Sequence, residues 1–184
     1  MSFSTQPAFI HTGTWDDTTR AHPCMKWMEH YTRAIDAKAW DTQPSTPYLT
    51  ASHTLHKSNG TTVSGGPASF ASLSTEIYAP FAAHLHDPEL LLCWESGDGW
   101  EMLGVATLYW DLAVPAGGEG KKEKVRDREG REWDGKGPAA FAFAYERQGD
   151  GGIRLSKTAI YADPTAAVVE MMKRGMMKAE DLVK

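Results

Sequence analysis

Residues 89–112 read ELLLCWESGDGWEMLGVATLYWDL. Two apolar runs, Glu89–Glu95 and Trp100–Leu112, flank Ser96-Gly97-Asp98-Gly99. Such a glycine-rich stretch between apolar runs is a strong signal for a tight β-hairpin, because glycine accepts the positive φ such turns need. The hairpin makes an antiparallel sheet the centre of the fold. Downstream, Ala139–Arg147 alternates with period two, so Phe141, Phe143 and Tyr145 share one face and Ala140, Ala142 and Ala144 the other. Gln148–Gly152 reads as a turn and Ile153–Ala162 as the last strand.

Upstream the period changes. From Pro23 to Ala39, Trp27, Met28, Tyr31, Ala34 and Ile35 recur at helical steps, and Pro23 suits a first helical turn. Pro44 and Pro47 break the chain, and Tyr48–His56 reads as a short strand. After a turn-rich stretch, Lys57–Pro67, a second helical segment is expected over Ala68–His84, kinked at Pro80 and ended by Asp87-Pro88. Asp163 and Pro164 open a final helix, as cap and first-turn residue, which Gly175 interrupts. Residues 1–22 read as an irregular arm, apolar enough at Phe3, Phe9, Ile10 and Trp15 to pack on the domain. Residues 113–137 read as a charged loop; Lys121–Lys136 holds 12 charged residues of 16, of mixed sign, which favours a solvated segment over a phosphate site. Helices first and an antiparallel sheet after give an α+β class with one domain over 23–184.

The chain has 184 residues and a net charge of -5. That acidity disfavours nucleic acid and anionic membranes as partners. Cys24 and Cys93 lie far apart with no metal-type spacing, so two free thiols are expected. The first 20 residues lack the basic start and apolar run of a signal peptide, and no stretch approaches bilayer-spanning length, so the expected location is the cytoplasm.

The stretch Tyr31-Thr32-Arg33-Ala34-Ile35-Asp36-Ala37-Lys38-Ala39-Trp40, the Gly65-Gly66 entry to a second helix, and the ending Ile160-Tyr161-Ala162-Asp163 resemble the nuclear-transport-factor-2-like superfamily. The likeness is to its SnoaL-like polyketide cyclase and ketosteroid-isomerase branch and covers about residues 23–163. It implies a cone: a curved antiparallel sheet wrapped over N-terminal helices around an internal pocket, in many members dimeric through the outer sheet face. It also implies cofactor-independent isomerisation, cyclisation or dehydration of a small apolar metabolite, polyketide- or terpenoid-like. Some members have no catalysis, so an apolar-ligand-binding or dimerising module stays open. Tyr31 matches the oxyanion-donor tyrosine of the steroid-isomerase branch. The base position falls within Ser52–His56, where this chain offers His53 and His56 instead of a carboxylate, and no second acid stands near Pro138–Phe141.

The candidate catalytic residues are therefore His53, as base or acid, with Tyr31 or Tyr145 as oxyanion donor. His53 and His56 are three apart on a strand and point to opposite faces. Each candidate also has a plain reading, a core histidine or an amphipathic core tyrosine. Trp27, Tyr48, Trp94, Tyr109, Phe141, Phe143 and Tyr161 are expected to supply an aromatic lining. His84-Leu85-His86-Asp87 is placed at a helix end, where two-residue spacing does not suit paired helical ligands, so no metal site is expected.

Overall fold

The computed structural model describes residues 6–116 and 123–183; Phe3 of the arm and Lys121–Lys122 of the charged stretch lie outside them. Its centre is the expected hairpin: β4 (Phe81–Ser96) and β5 (Gly99–Leu112) pair antiparallel along their whole length. β8 (Gly135–Arg147) and β9 (Ile153–Ala162) continue the meander, and β1 (Phe9–Thr12) adds an edge against β4. On the other side β2 (Leu49–His56) pairs with β9, and β3 (Thr62–Ser64) with β2. The sheet order is β1-β4-β5-β8-β9-β2-β3, strongly curved and unclosed. One pair departs from the antiparallel expectation: β2 runs parallel to β9.

Packed inside the curve are α1 (Asp17–Ala21), α2 (Pro23–Asp36) and α3 (Gly66–Ser72), the last continued by a wide turn over Leu73–Ile77. Asp16 caps α1 with its side chain, and Glu29 on α2 takes hydrogen bonds from Arg20 and Arg33, locking the two helices together. The inner face of the sheet alternates with the outer as strand geometry requires. Cys93, Met102, Tyr145 and Leu155 meet Cys24, Met25 and Met28 of α2 in one apolar core. A smaller cluster, Trp110 and Leu112 with Ala167 and Met171, seats α4 (Thr165–Lys173) at the far end of the sheet.

Four local expectations change. The first helix stops at Asp36, because Lys38 takes a left-handed conformation, φ 55°, and starts a short helical turn at Ala39–Asp41. The second helix ends before Pro80, and the chain from Phe81 is strand; Pro88 then sits at a register shift in β4, where a missing N–H is tolerated. The arm is not irregular: it holds β1 and α1. The charged stretch carries a small hairpin, β6 (Val125–Arg126) with β7 (Glu132–Trp133), on the outer face. Asp127 accepts hydrogen bonds from the backbone of Glu129 and Arg131 and from Trp133 Nε1, while Trp133 is 1% exposed. An ordered apolar anchor there outweighs the charge pattern. Among the described residues no helix is long and apolar enough to cross a membrane.

Candidate active site

The corrected start of β4 decides the site. On a strand, residues two apart share a face, so His84 and His86 both point inward. Asp36, the last residue of α2, meets them. His86 Nδ1 lies 2.5 Å from Asp36 Oδ1, and the backbone N–H of His86 donates to Asp36 Oδ2 at 3.3 Å. Both carboxylate oxygens therefore hold one residue. With its Nδ1 proton given to Asp36, His86 keeps a lone pair on Nε2, 2.9 Å from the Tyr78 hydroxyl. The His86 and Asp36 side chains are mostly buried.

The surrounding layer is aromatic and stacked. Tyr78 lies face to face with His84 at 4.1 Å between centroids and with Trp40 at 5.6 Å. His84 Nε2 bonds the backbone carbonyl of Ile35 at 3.1 Å, while Nδ1 has no partner among the described residues. Burial, then the neighbouring His86, pulls the His84 pKa down to about 4, so it is a neutral spacer at neutral pH. Asp36, His84 and His86 each offer one ligand atom within 4.8 Å of the others, a spacing that a transition metal could bridge. In this structure Asp36 Oδ1 and His86 Nδ1 bond each other, and His84 Nε2 bonds Ile35.

His86 and Tyr78 open on a cavity of about 60 Å³ whose walls are otherwise mainly Met28, Ile35, Leu91, Met102, Phe141 and Ile160. Tyr31, Thr32 and Thr158 are its other hydroxyl-bearing residues, and Trp15 of the arm closes one side. A larger chamber of about 320 Å³ adjoins it, sharing Tyr78, Phe141 and Ile160 and running out past Phe81, Leu108 and Trp110 to α4.

The residues expected from sequence divide into three groups, with His53 apart from them. Tyr31, Phe141 and Phe143 line the inner cavity. The Tyr31 hydroxyl has no hydrogen-bond partner among the described residues, and burial drives its pKa upward, so it is a neutral donor. Trp27, Tyr48 and Tyr145 form the layer behind it: Trp27 stacks on Tyr31 and meets Tyr145 edge-on, and Tyr48 packs on Tyr31 at 5.5 Å. The two tyrosine hydroxyls are engaged elsewhere, Tyr48 with Gln43 and Tyr145 with the Met102 sulfur, so Tyr145 is not a cavity donor. Trp94, Tyr109 and Tyr161 sit on the outer face. Tyr161 is 63% exposed, and Tyr109 lies under the β6–β7 hairpin beside Trp133. Strand parity explains all three: each is odd or even in step with outward neighbours, across the register shift at Pro88 for Trp94. His53 does not line the cavity; it is buried one strand behind it, with Nε2 3.0 Å from Thr158 Oγ1.

No family model matches the sequence, and no curated protein matches it. Solved structures do. LinA aligns at a TM-score of 0.56 and 16% identity, over 79% of this chain and 86% of that one. Nuclear transport factor 2 from Cryptosporidium parvum aligns at 0.56 and 11%, over 80% and 97%. The fold is that of the nuclear-transport-factor-2-like superfamily. ActVI-ORFA from Streptomyces coelicolor shares this nuclear-transport-factor-2-like fold at a TM-score of 0.54 and 12% identity, over 77% of this chain and 95% of that one.

Proposed function

We propose that this protein is a cofactor-independent lyase or isomerase of small apolar molecules, with His86 as the proton-abstracting base. The observation that carries the reading is the Asp36–His86 pair, 2.5 Å apart, opening on an otherwise apolar cavity. Asp36 fixes the imidazole tautomer and favours the cation that forms when Nε2 takes a proton from carbon, as a buried carboxylate does in other Asp–His pairs. An apolar surround strengthens that interaction. The Tyr31 hydroxyl, unpaired among the described residues and facing the cavity, supplies a donor for charge that develops on the substrate or its leaving group. Tyr78 must turn away from Nε2 before a carbon acid can reach it. The LinA-type3 structure from Novosphingobium barchaimii is that of a hexachlorocyclohexane dehydrochlorinase, an enzyme removing hydrogen and chloride from an apolar ring. Its likeness in fold supports the same broad class here.

His86, not His53, thus takes the role of base, and the arm is part of the site through Trp15. A second reading, a binding module for an apolar ligand, draws on the Tyr78 hydroxyl that caps the free nitrogen of His86. We further propose a homodimer through the outer sheet face, where Ile10 and Tyr161 are 64% and 63% exposed and Leu103 lies between them. Sedimentation velocity with Leu103→Glu tests it; a monomer in the parent protein ends that proposal.

The test of catalysis is exchange or elimination. Small cyclic ketones in heavy water and chlorinated cyclohexanes are incubated with the protein, and deuterium uptake and chloride release are followed. His86→Ala is expected to lower the rate by about 10²–10⁴, and Asp36→Asn by a smaller factor. A wild-type rate in His86→Ala refutes the assigned base, and no turnover of either set favours the binding module.

A further inference from the structure

His84 and His86 stand two apart on β4 and face the same side, and Asp36 meets them from the end of α2. Asp36 Oδ1 is 2.5 Å from His86 Nδ1 and 3.9 Å from His84 Nε2. Two ligand atoms held tetrahedrally by one zinc ion, each at ~2.0–2.1 Å, stand about 3.3 Å apart. The two gaps bracket that separation, so a shift of Asp36 by less than about 1 Å evens them. The surroundings also favour a cation. Asp36 ends a 14-residue helix whose last carbonyls carry partial negative charge, and the carbonyl of Ile35 lies 3.1 Å from His84 Nε2. Lys38, whose Nζ bonds the Phe81 carbonyl, is the like charge that opposes it. The His84 side chain is only 4% exposed, and its Nδ1 has no partner among the described residues. That nitrogen can therefore take the ring proton without breaking another bond.

We propose that Asp36, His84 and His86 bind a divalent transition metal of the zinc class, and that the bound ion takes the His86 lone pair away from the cavity. Two imidazole nitrogens and one carboxylate suit Zn²⁺, Co²⁺ or Ni²⁺, whereas Mg²⁺ and Ca²⁺ seek oxygen. The ion acts as an off-switch and not as a cofactor; that consequence rests on the reading of His86 as the base, whereas the binding does not. Before loading, His86 holds its proton on Nδ1, toward Asp36, and its lone pair on Nε2. On loading, Nδ1 gives its electron pair to the metal and its proton passes through solvent to Nε2. Nε2 then donates to the Tyr78 hydroxyl, 2.9 Å away, and has no pair left for a carbon acid. At His84 the proton likewise moves from Nε2 to Nδ1, so each ring keeps one proton and only the metal is added. The new Nδ1–H of His84 is an unmatched buried donor, which weakens the site and keeps loading reversible.

The experiment titrates the metal-free full chain with Co²⁺, whose visible absorption reports its coordination. Saturation at a single site is expected, reversed by Zn²⁺ and untouched by excess Mg²⁺. His84→Gln, His86→Gln and Asp36→Asn are each expected to weaken Co²⁺ by about a hundredfold or more, with near-UV circular dichroism checking that each is folded. His30→Gln, at an exposed position, should bind as the parent does. Long-range ¹H–¹⁵N NMR of the parent needs no variant: Zn²⁺ is expected to move the His86 proton from Nδ1 to Nε2. Three results would each overturn the proposal: no saturable Co²⁺ site, parental Co²⁺ affinity in folded His86→Gln and Asp36→Asn, or a zinc-loaded His86 that keeps its Nε2 lone pair. Zinc should also stop deuterium exchange into a cyclic ketone in proportion to loading. Exchange at the parent rate in fully loaded protein with Nε2 protonated upholds the metal site and removes His86 as base.

Discussion

Lowering the pH should loosen this fold earlier than its carboxylates alone would dictate, because two histidines are buried uncharged. His53 and His84 are each held near pKa 4, against 6.5 when exposed, with burial as the main cause. The unfolded chain therefore binds a proton at each position well before the native state does. Stability from this source is complete above about pH 6.5 and drains as the pH falls toward 4, below which both states are protonated and the loss levels off. Between about pH 7 and 4.5, each histidine is worth about 2 kcal/mol, and the pair about 4–5 kcal/mol, a large part of a typical domain's stability. Urea unfolding of the parent, His53→Gln and His84→Gln at both pH values measures this. Each variant starts less stable at neutral pH, having lost ring packing, but its decline with acid should be shallower by about 2 kcal/mol. Other groups titrate alike in all three and cancel in the comparison. Parallel declines in parent and variants would refute the neutral burial of these rings.

The C-terminal helix should be equally sensitive at one residue. Arg174, 3% exposed by side chain, bonds Asp134, Glu170 and the carbonyl of Val114, so Arg174→Met removes a buried cation shared by two carboxylates and is expected to cost about 3 kcal/mol by thermal or urea unfolding. Burial pushes the Asp134 carboxyl up, but Arg174, Lys124 and the Leu112 N–H outweigh it and hold it at about 2; this contribution is present above pH 3.8 and should fade as the pH drops toward 2, which Asp134→Asn unfolding curves would show. Gly99→Ala would drive its new methyl into the backbone carbonyl of Tyr145 across the β5–β8 pair, and a loss of about 2 kcal/mol or more is expected. At neighbouring Gly97, with open space around it, alanine meets only the strain of a left-handed φ of 55° and should cost less.

The sheet was legible because its signals are local. The Ser96-Gly97-Asp98-Gly99 turn between apolar runs and the Phe141, Phe143, Tyr145 alternation need no distant information, and the structure has both, with Gly97 at the positive φ. The site was not legible for a matching reason. Phe70, Leu73, Ile77, Phe81 and Leu85 keep close to helical spacing, so the pattern extends the helix over His84 and scatters the two inward histidines to different faces. Pro80 was the available signal: it ends the helix, and the chain beyond it is strand. Once that boundary moves, His84 and His86 share a face, and Asp36 is the acid that meets them from the end of α2. The burial of the outward-facing Tyr109 depends on the Trp133 hairpin, which mixed charges concealed.

The parallel union of β2 and β9 has a consequence for synthesis. His53 and its hydrogen-bond partner Thr158 are 105 residues apart, and β2 has no sheet neighbour on that side until β9 has been made. At ~5–20 residues per second, the ribosome leaves that strand waiting for roughly 5–20 s. Residues 49–56 are therefore expected to reach full hydrogen-exchange protection only after residue 162 has been made.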